Sequence, residues 1–305
     1  MALAIITTRS LHARGESTRG LERGVRSGRF VRLRPGAYAV GTEWASASAV
    51  DRHRALIDAC ARTGVREPVF SHESAALLHG IPIIGAPPPT PHCLDAEPSP
   101  ATRRTRTGIV VHRPRHPIEP CRVDGFLATG PIDTAVALAS SRSLAAGVAA
   151  LDHVIALGVD KSAIAEIVEL RRPFHGAARA LRALEIATGL AESPLESVSL
   201  VPIALAGIPR PEQQVEVVAR GRRYRLDFLW RDAAVAGEAD GRSKYLAAED
   251  LWREKVRQDA LRSIGISVAR WDWAQALAGD PLLARLGEAG LRVAPRFATR
   301  SSRST

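Results

Sequence analysis

The sequence predicts a multi-domain α/β protein, and three observations predict it. Its 305 residues suffice for two or three separate cores. Short elements punctuated by Gly, Pro and Ser open the chain, and from Ala191 onward the pattern runs helix, three strands, helix, strand. A last strand that returns through a helical crossover makes the C-terminal sheet mixed.

Composition narrows the class. With 46% hydrophobic and 24% charged residues the chain reads as globular rather than disordered or fibrous. No apolar run reaches the roughly 18 residues of a membrane span, and the first residues lack the basic start and apolar segment of a signal peptide. No membrane partner and a cytoplasmic location are therefore expected. Cys60, Cys93 and Cys121 are odd in number and far apart, which offers neither a disulfide framework nor a CxxC metal site. A net charge of +10 points to a polyanionic partner. Half of that excess sits in residues 1–50, which hold eight Arg and three Glu. Arg292, Arg296, Arg300 and Arg303 form a second basic run, and residues 295–305 read as a mobile tail.

At the N-terminus a helix through Leu11 ends at Gly15, and Ser17 caps a second helix from Thr18 to about Ser27. "RFVRLRPGAYAV" then alternates around Pro35-Gly36 as a hairpin. Helix, turn, helix, hairpin is the order of a winged helix, expected over residues 1–84. Arg19, Arg23 and Arg26 fall on one face of the second helix, opposite Leu21 and Val25. That face suits a DNA groove, with Arg29, Arg32 and Arg34 holding phosphates. Gly24 in mid-helix costs ~1 kcal/mol against Ala. "FSHESAALLHGIPI" follows as a helix capped by Ser71 and stopped at Gly80. His72, Glu73 and His79 lack HExxH spacing and read as structural.

Residues 85–108 are rich in Pro and turn formers and read as a linker or extended excursion. Residues 109–189 begin with a strand, "GIVVHR", and continue as an Ala-rich helical stretch interrupted near Pro173. From 190 to 294 the elements sharpen: "ESPLESVSLVPIALAG" as helix, "QQVEVVA", "RYRLDFLW" and "VAGEADG" as strands, "AAEDLWREKVRQDALRSIG" as helix and "ISVARWDW" as strand. If "RDAA" forms a four-residue hairpin loop, Trp230 pairs with Val235 and Asp227 lies opposite Glu238. Asp240 then points to the same side as Glu238. Unpaired carboxylates on buried strands raise one another's pKa, and a hard divalent cation such as Mg²⁺ removes that penalty. Glu196, four residues after Glu192, offers a further oxygen ligand. Against this stands the plainer reading that the acids reach solvent and pair with Arg225, Arg242 or Lys244.

The segment from about Glu192 to Trp273 resembles the PD-(D/E)xK nuclease superfamily, in the branch similar to very short patch repair endonucleases. "ESPLES", "LDF", "GEADGRSKY", "REKVRQDALRSIG" and "VARWDW" carry the resemblance over about a quarter of the chain. It implies a restriction-endonuclease-like αβββαβ core with Mg²⁺ or Mn²⁺ bound by Asp227, Glu238 and Glu196, and hydrolysis of DNA phosphodiesters. The pattern departs at one position, because the usual lysine two residues after Glu238 is Asp240. Lys244 is the candidate for a migrated lysine, and Lys255 and Gln258 on the next helix also face the expected site. The N-terminal "RGVRSGRFVRLRPGAYAV" and "FSHESAALLHGIPI" resemble the winged-helix region of type IV abortive-infection antitoxins. That resemblance implies promoter binding and a nucleotidyltransferase toxin as partner.

Two functions follow as expectations. One is a winged helix delivering a Mg²⁺-dependent endonuclease to DNA. The other is a transcriptional regulator or antitoxin with an inactive nuclease fold, favoured by Asp240 in place of lysine. The chain has no GxxxxGK[ST] loop, no GxGxxG after a strand and no GxSxG elbow, so no nucleotide cofactor is indicated.

Overall fold

The computed structural model describes residues 3–15, 17–64, 66–95, 103–106, 108–240 and 248–293. Lys244, the tail from 295 and parts of the 85–108 stretch lie outside them.

The chain opens with β1 (Ile6–Thr7), α1 (Thr8–Ala13), α2 (Thr18–Arg26), β2 (Phe30–Arg34) and β3 (Ala37–Val40), whose strands form an antiparallel sheet in the order β1-β3-β2. Thr7 and Ser10 form a reciprocal capping box at α1, and Ser17 accepts from Gly20 N–H to start α2. Leu11, Leu21 and Phe30 make a small core of their own. Gly24 serves that core: a Cβ there would sit 2.7 Å from Cδ2 of the buried Phe30 ring. The mid-helix glycine thus buys close packing of α2 on β2.

Two helices, α3 (Gly41–Ser46) and α4 (Ala49–Thr63), lead to β4 (Val69–Phe70) and α5 (His72–His79), which ends at left-handed Gly80. The proline-rich stretch, expected as a linker or an extended excursion, takes the extended form. It contributes β5 (His92–Leu94) and β6 (Arg103–Arg106), which join β7 (Ile109–His112), β8 (Pro120–Val123) and β9 (Phe126–Thr129) in a six-stranded sheet ordered β6-β7-β5-β4-β9-β8. Its prolines Pro87, Pro88, Pro89 and Pro91 precede β5, where a missing N–H costs no ladder bond.

The Ala-rich stretch is helical with a break at 171–176, and it divides further than the sequence pattern indicates, into α6 (Pro131–Ser141), α7 (Leu144–Ala156), α8 (Lys161–Leu170) and α9 (Ala177–Ile186). The C-terminal order is also as read. After α10 (Pro194–Leu205) come β10 (Glu212–Ala219), β11 (Arg222–Trp230) and β12 (Val235–Ala239), then α11 (Ala248–Ser263) and β13 (Ser267–Trp271), closed by α12 (Trp273–Ala278) and α13 (Asp280–Glu288). The sheet order is β10-β11-β12-β13, antiparallel except for the parallel β12–β13 pair that α11 connects.

One hydrophobic interior spans the expected boundary at 189. Val148 and Leu151 of α7, Val198 and Leu200 of α10, Phe228, Trp230 and Trp271 belong to the same buried cluster. Asp152, buried on α7, fastens the junction by accepting from Thr188 N–H (2.6 Å) and Gly189 N–H (2.5 Å) with one oxygen and from Ser197 Oγ (2.6 Å) with the other. This clamp sets where α10 begins, and with it the position of Glu196. A smaller cluster on the other side of the C-terminal sheet holds Leu226, Leu229, Ala236 and Leu261.

Candidate functional site

The hairpin register is the one read from the sequence. Trp230 pairs with Val235, Leu229 with Ala236 and Phe228 with Gly237, so Asp227 comes next opposite Glu238. The regular ladder stops there, and the Ala239 N–H donates instead to Asp227 Oδ2 at 2.8 Å. On the other flank the β10–β11 register passes from Gln213↔Phe228 to Val215↔Leu226 and leaves the Gln214–Asp227 pair unformed. Gln214 has φ +53°, a left-handed value uncommon outside glycine. Its amide Nε2 donates 2.7 Å to Glu196 Oε2. The sheet is therefore irregular on both sides of Asp227, the level at which the three acids approach.

Each acid has a distinct surrounding. Glu196 is buried at the third position of α10, behind the N-cap Ser193. Its Oε1 accepts from Ser193 Oγ at 2.7 Å, and its Oε2 takes the Glu192 N–H at 3.0 Å as well as Gln214. This is close to a capping box, which explains its burial without a metal. Glu192 precedes the helix rather than lying on it, and its carboxylate pairs with Arg225. Glu238 is buried on β12 and both its oxygens are taken. Arg257 of α11 donates to Oε1 through Nε at 3.1 Å and Nη2 at 2.5 Å, and Arg270 of β13 donates to Oε2 through Nε at 2.9 Å. Arg257 also donates to the Arg225 carbonyl at 2.8 Å and lies over the Tyr224 ring.

Asp227 carries the residual strain. Burial pushes its carboxyl up to about 6, against the Ala239 N–H that lowers it, and the nearby Glu196 and Glu238 charges raise it further. Asp240 is exposed just beyond β12, with its N–H donating to the Trp271 carbonyl at 2.9 Å. Gln258 is half-buried and Lys255 exposed on α11, where Arg257 is the side chain bonded to the acids.

As they stand, the acids do not fit a shared Mg²⁺ or Mn²⁺. Glu238 is already neutralised by two guanidinium groups, and Glu196 is occupied as a helix cap. Among the described residues, three or more ligand atoms close enough to share one ion occur in a different place, at His72, His92 and His112. Arg257 and Arg270 escaped the sequence reading because "REKVRQ" and "VARWDW" give no local sign of which Arg turns inward. The alternation of β13 was the one usable signal, since Glu238 and Arg270 are direct partners across the parallel ladder.

At the N-terminus Arg19, Arg23, Arg26, Arg29 and Arg32 are exposed. Arg26 and Arg32 line one cleft of about 330 Å³ between α2 and the hairpin, with Tyr38 and Leu21. Arg29 lies over the Phe30 ring at 4.8 Å. Arg34 differs from the other five: its Nε and Nη1 are buried, and no oxygen or nitrogen acceptor meets them among the described residues. It faces inward toward Cys60, whose thiol is lowered first by a bond with Cys93 and then by the Arg34 charge. The bulge between Arg32 and Arg34 accounts for the turn of the side chain away from the expected phosphate-binding row.

No family model matches the chain. It is similar to uncharacterized proteins from two strains of Mycobacterium tuberculosis, each 31% identical over 167 residues, which is 54% of this chain and 61% of the relative. The chain thus spans about three-fifths of the length of these curated relatives. A crystal structure of another M. tuberculosis protein aligns over 72% of this chain and 84% of its own at 20% identity. Its TM-score of 0.40 is too low for the two folds to be equated.

Proposed function

We propose that this chain is a DNA-binding regulator whose C-terminal nuclease-like unit is catalytically silent. The observation that carries this reading is the capture of both Glu238 oxygens by Arg257 and Arg270. Metal-dependent hydrolysis needs carboxylates free to hold a cation and a water, and here fixed guanidinium groups take the cation's role. Asp240 in the lysine position agrees with this. DNA binding rests on the exposed row Arg19, Arg23 and Arg26 on α2, with Arg32 across the cleft. The β1-β3-β2 order around α1 and α2 supports a winged-helix reading, in which α2 enters the groove and the hairpin follows the backbone. A nucleotidyltransferase toxin is the protein partner that the antitoxin resemblance implies.

A second reading, a Mg²⁺- or Mn²⁺-dependent endonuclease, is favoured by the raised Asp227 carboxyl, an acid that a cation would relieve. Arg257 would have to leave Glu238 for this to operate. One experiment separates them: the full chain is incubated with plasmid, linear and nicked DNA in Mg²⁺ or Mn²⁺, in parallel with footprinting upstream of its own gene. The regulator gives a footprint and intact DNA. Cutting that Asp227→Ala abolishes overturns it in favour of the endonuclease.

A further inference from the structure

His72, His92 and His112 lie at intervals of twenty residues, yet their ring nitrogens converge to within 4.8 Å of one another. Two come from neighbouring parallel strands. The register pairs His92 with Val110 and Leu94 with His112, so the two histidines share a face of the sheet two positions apart. The third opens α5, and the His72 and His112 rings stack at 3.7 Å. His72 has φ +50°, a left-handed conformation that costs a non-glycine residue about 1 kcal/mol or more. The strained backbone turns this imidazole toward the other two.

We propose that His72, His92 and His112 form a Zn²⁺ site with an open fourth position. Three imidazoles plus one exchangeable ligand is a recurrent zinc arrangement, and imidazole favours late divalent metals over Mg²⁺. Tetrahedral Zn²⁺ needs its nitrogens about 3.4 Å apart and each ring plane aimed at the ion, so binding would bring the nitrogens closer by about 1 Å and rotate the stacked His72 and His112 rings apart. The surroundings are those of a metal centre. His92 Nδ1 lies 3.1 Å from Oε2 of Glu73, an acid only 2% exposed, an ion-pair contact short of hydrogen-bond geometry that leaves Nε2 to the metal and would align as the ring turns to bind. Glu73 is held in turn by Arg142 Nε at 3.2 Å. His72 Nδ1 is 3.1 Å from Ser71 Oγ. His72 also borders a cleft of about 290 Å³ lined by Arg113, Arg115, His116, Asp133, Arg171 and His175, which opens one side of the triad to solvent.

The test is calorimetric titration of the EDTA-stripped, desalted full chain with ZnCl₂. One equivalent is expected to bind, with affinity falling at least 100-fold in His92→Ala and in His72→Asn. Asparagine tolerates the left-handed backbone, so the second variant keeps the fold if the first does not. Glu73→Gln is expected to weaken binding by about 10-fold, as for other carboxylates behind a ligand histidine. Co²⁺ in place of Zn²⁺ should give the visible band of a tetrahedral site in the wild type and lose it in both histidine variants. Absence of Zn²⁺ uptake, or binding that His72→Asn leaves unchanged, overturns the proposal.

Discussion

Arg270 stands directly across the parallel β12–β13 ladder from Glu238, and its Nε donates 2.9 Å to the carboxylate while Arg257 reaches the other oxygen from α11. The Glu238 side chain is 11% exposed and its partners 27–28%. Removing one partner leaves a largely buried negative charge half-compensated, which costs about 3 kcal/mol in fully buried pairs. Partial exposure of the arginines reduces that, so Arg270→Ala is expected to lose roughly 2 kcal/mol in urea unfolding. Glu238→Ala in the same background should restore part of the loss. Additive losses in the double variant would remove the coupling on which the silent-nuclease reading rests.

Asp227 gives a pH dependence with a definite sign. Its carboxyl is raised from 3.8 to about 6, so the folded chain binds this proton more tightly than the unfolded chain does. The stabilising contribution is complete below pH 3.8 and is lost as pH rises through about 6. Asp227→Asn keeps an acceptor for the Ala239 N–H and removes the charge. It should melt higher than the wild type at pH 8, with the difference vanishing below pH 4. A lower melting temperature at pH 8 would contradict the assigned repulsion.

The basic face predicts a salt signature. Replacing Arg19, Arg23 and Arg26 together by alanine should lower DNA affinity and reduce the slope of log K against log salt by about 2 to 3, near one per lost phosphate contact. Arg34→Met should leave that slope unchanged, because the guanidinium is turned inward. Filter binding across a salt series distinguishes the two. Equal effects of the two variants would refute the division between outer and inner arginines.

Gly24 sets helix propensity against packing. Propensity alone predicts that Gly24→Ala gains up to ~1 kcal/mol. The new Cβ would meet the Phe30 ring at 2.7 Å, and overpacking of this kind costs about 1 to 3 kcal/mol. The expected net result is destabilisation, read from thermal unfolding. A second substitution, Phe30→Leu, should soften the penalty.

Much of the frame was legible because the signals were local. Ser17 and Ser71 mark two helix starts, Pro35-Gly36 marks the hairpin, and the "RDAA" loop sets Trp230 against Val235. What escaped was non-local. Nothing in "PHCLD" announces a strand bordered on both sides, and its His92 meets His112 only because β5 and β7 lie side by side. The inward turn of Arg34 depends on a bulge, and the occupation of Glu238 depends on a helical arginine nineteen residues downstream. Alternation assigns faces to strands but does not say which neighbour a face will meet.

The interior shared by Val148, Leu200 and Trp271 also governs how this molecule can be taken apart. A fragment cut near residue 190 would take Ser197 from the Asp152 clamp and bare the seam against α7, inviting aggregation, so the bundle and the C-terminal sheet must be expressed, melted and inherited together. The amino-terminal head keeps a Leu11–Leu21–Phe30 nucleus of its own, but the inward-turned Arg34 ties its hairpin to Cys60 of α4, so grafting or exchange would have to carry that contact along.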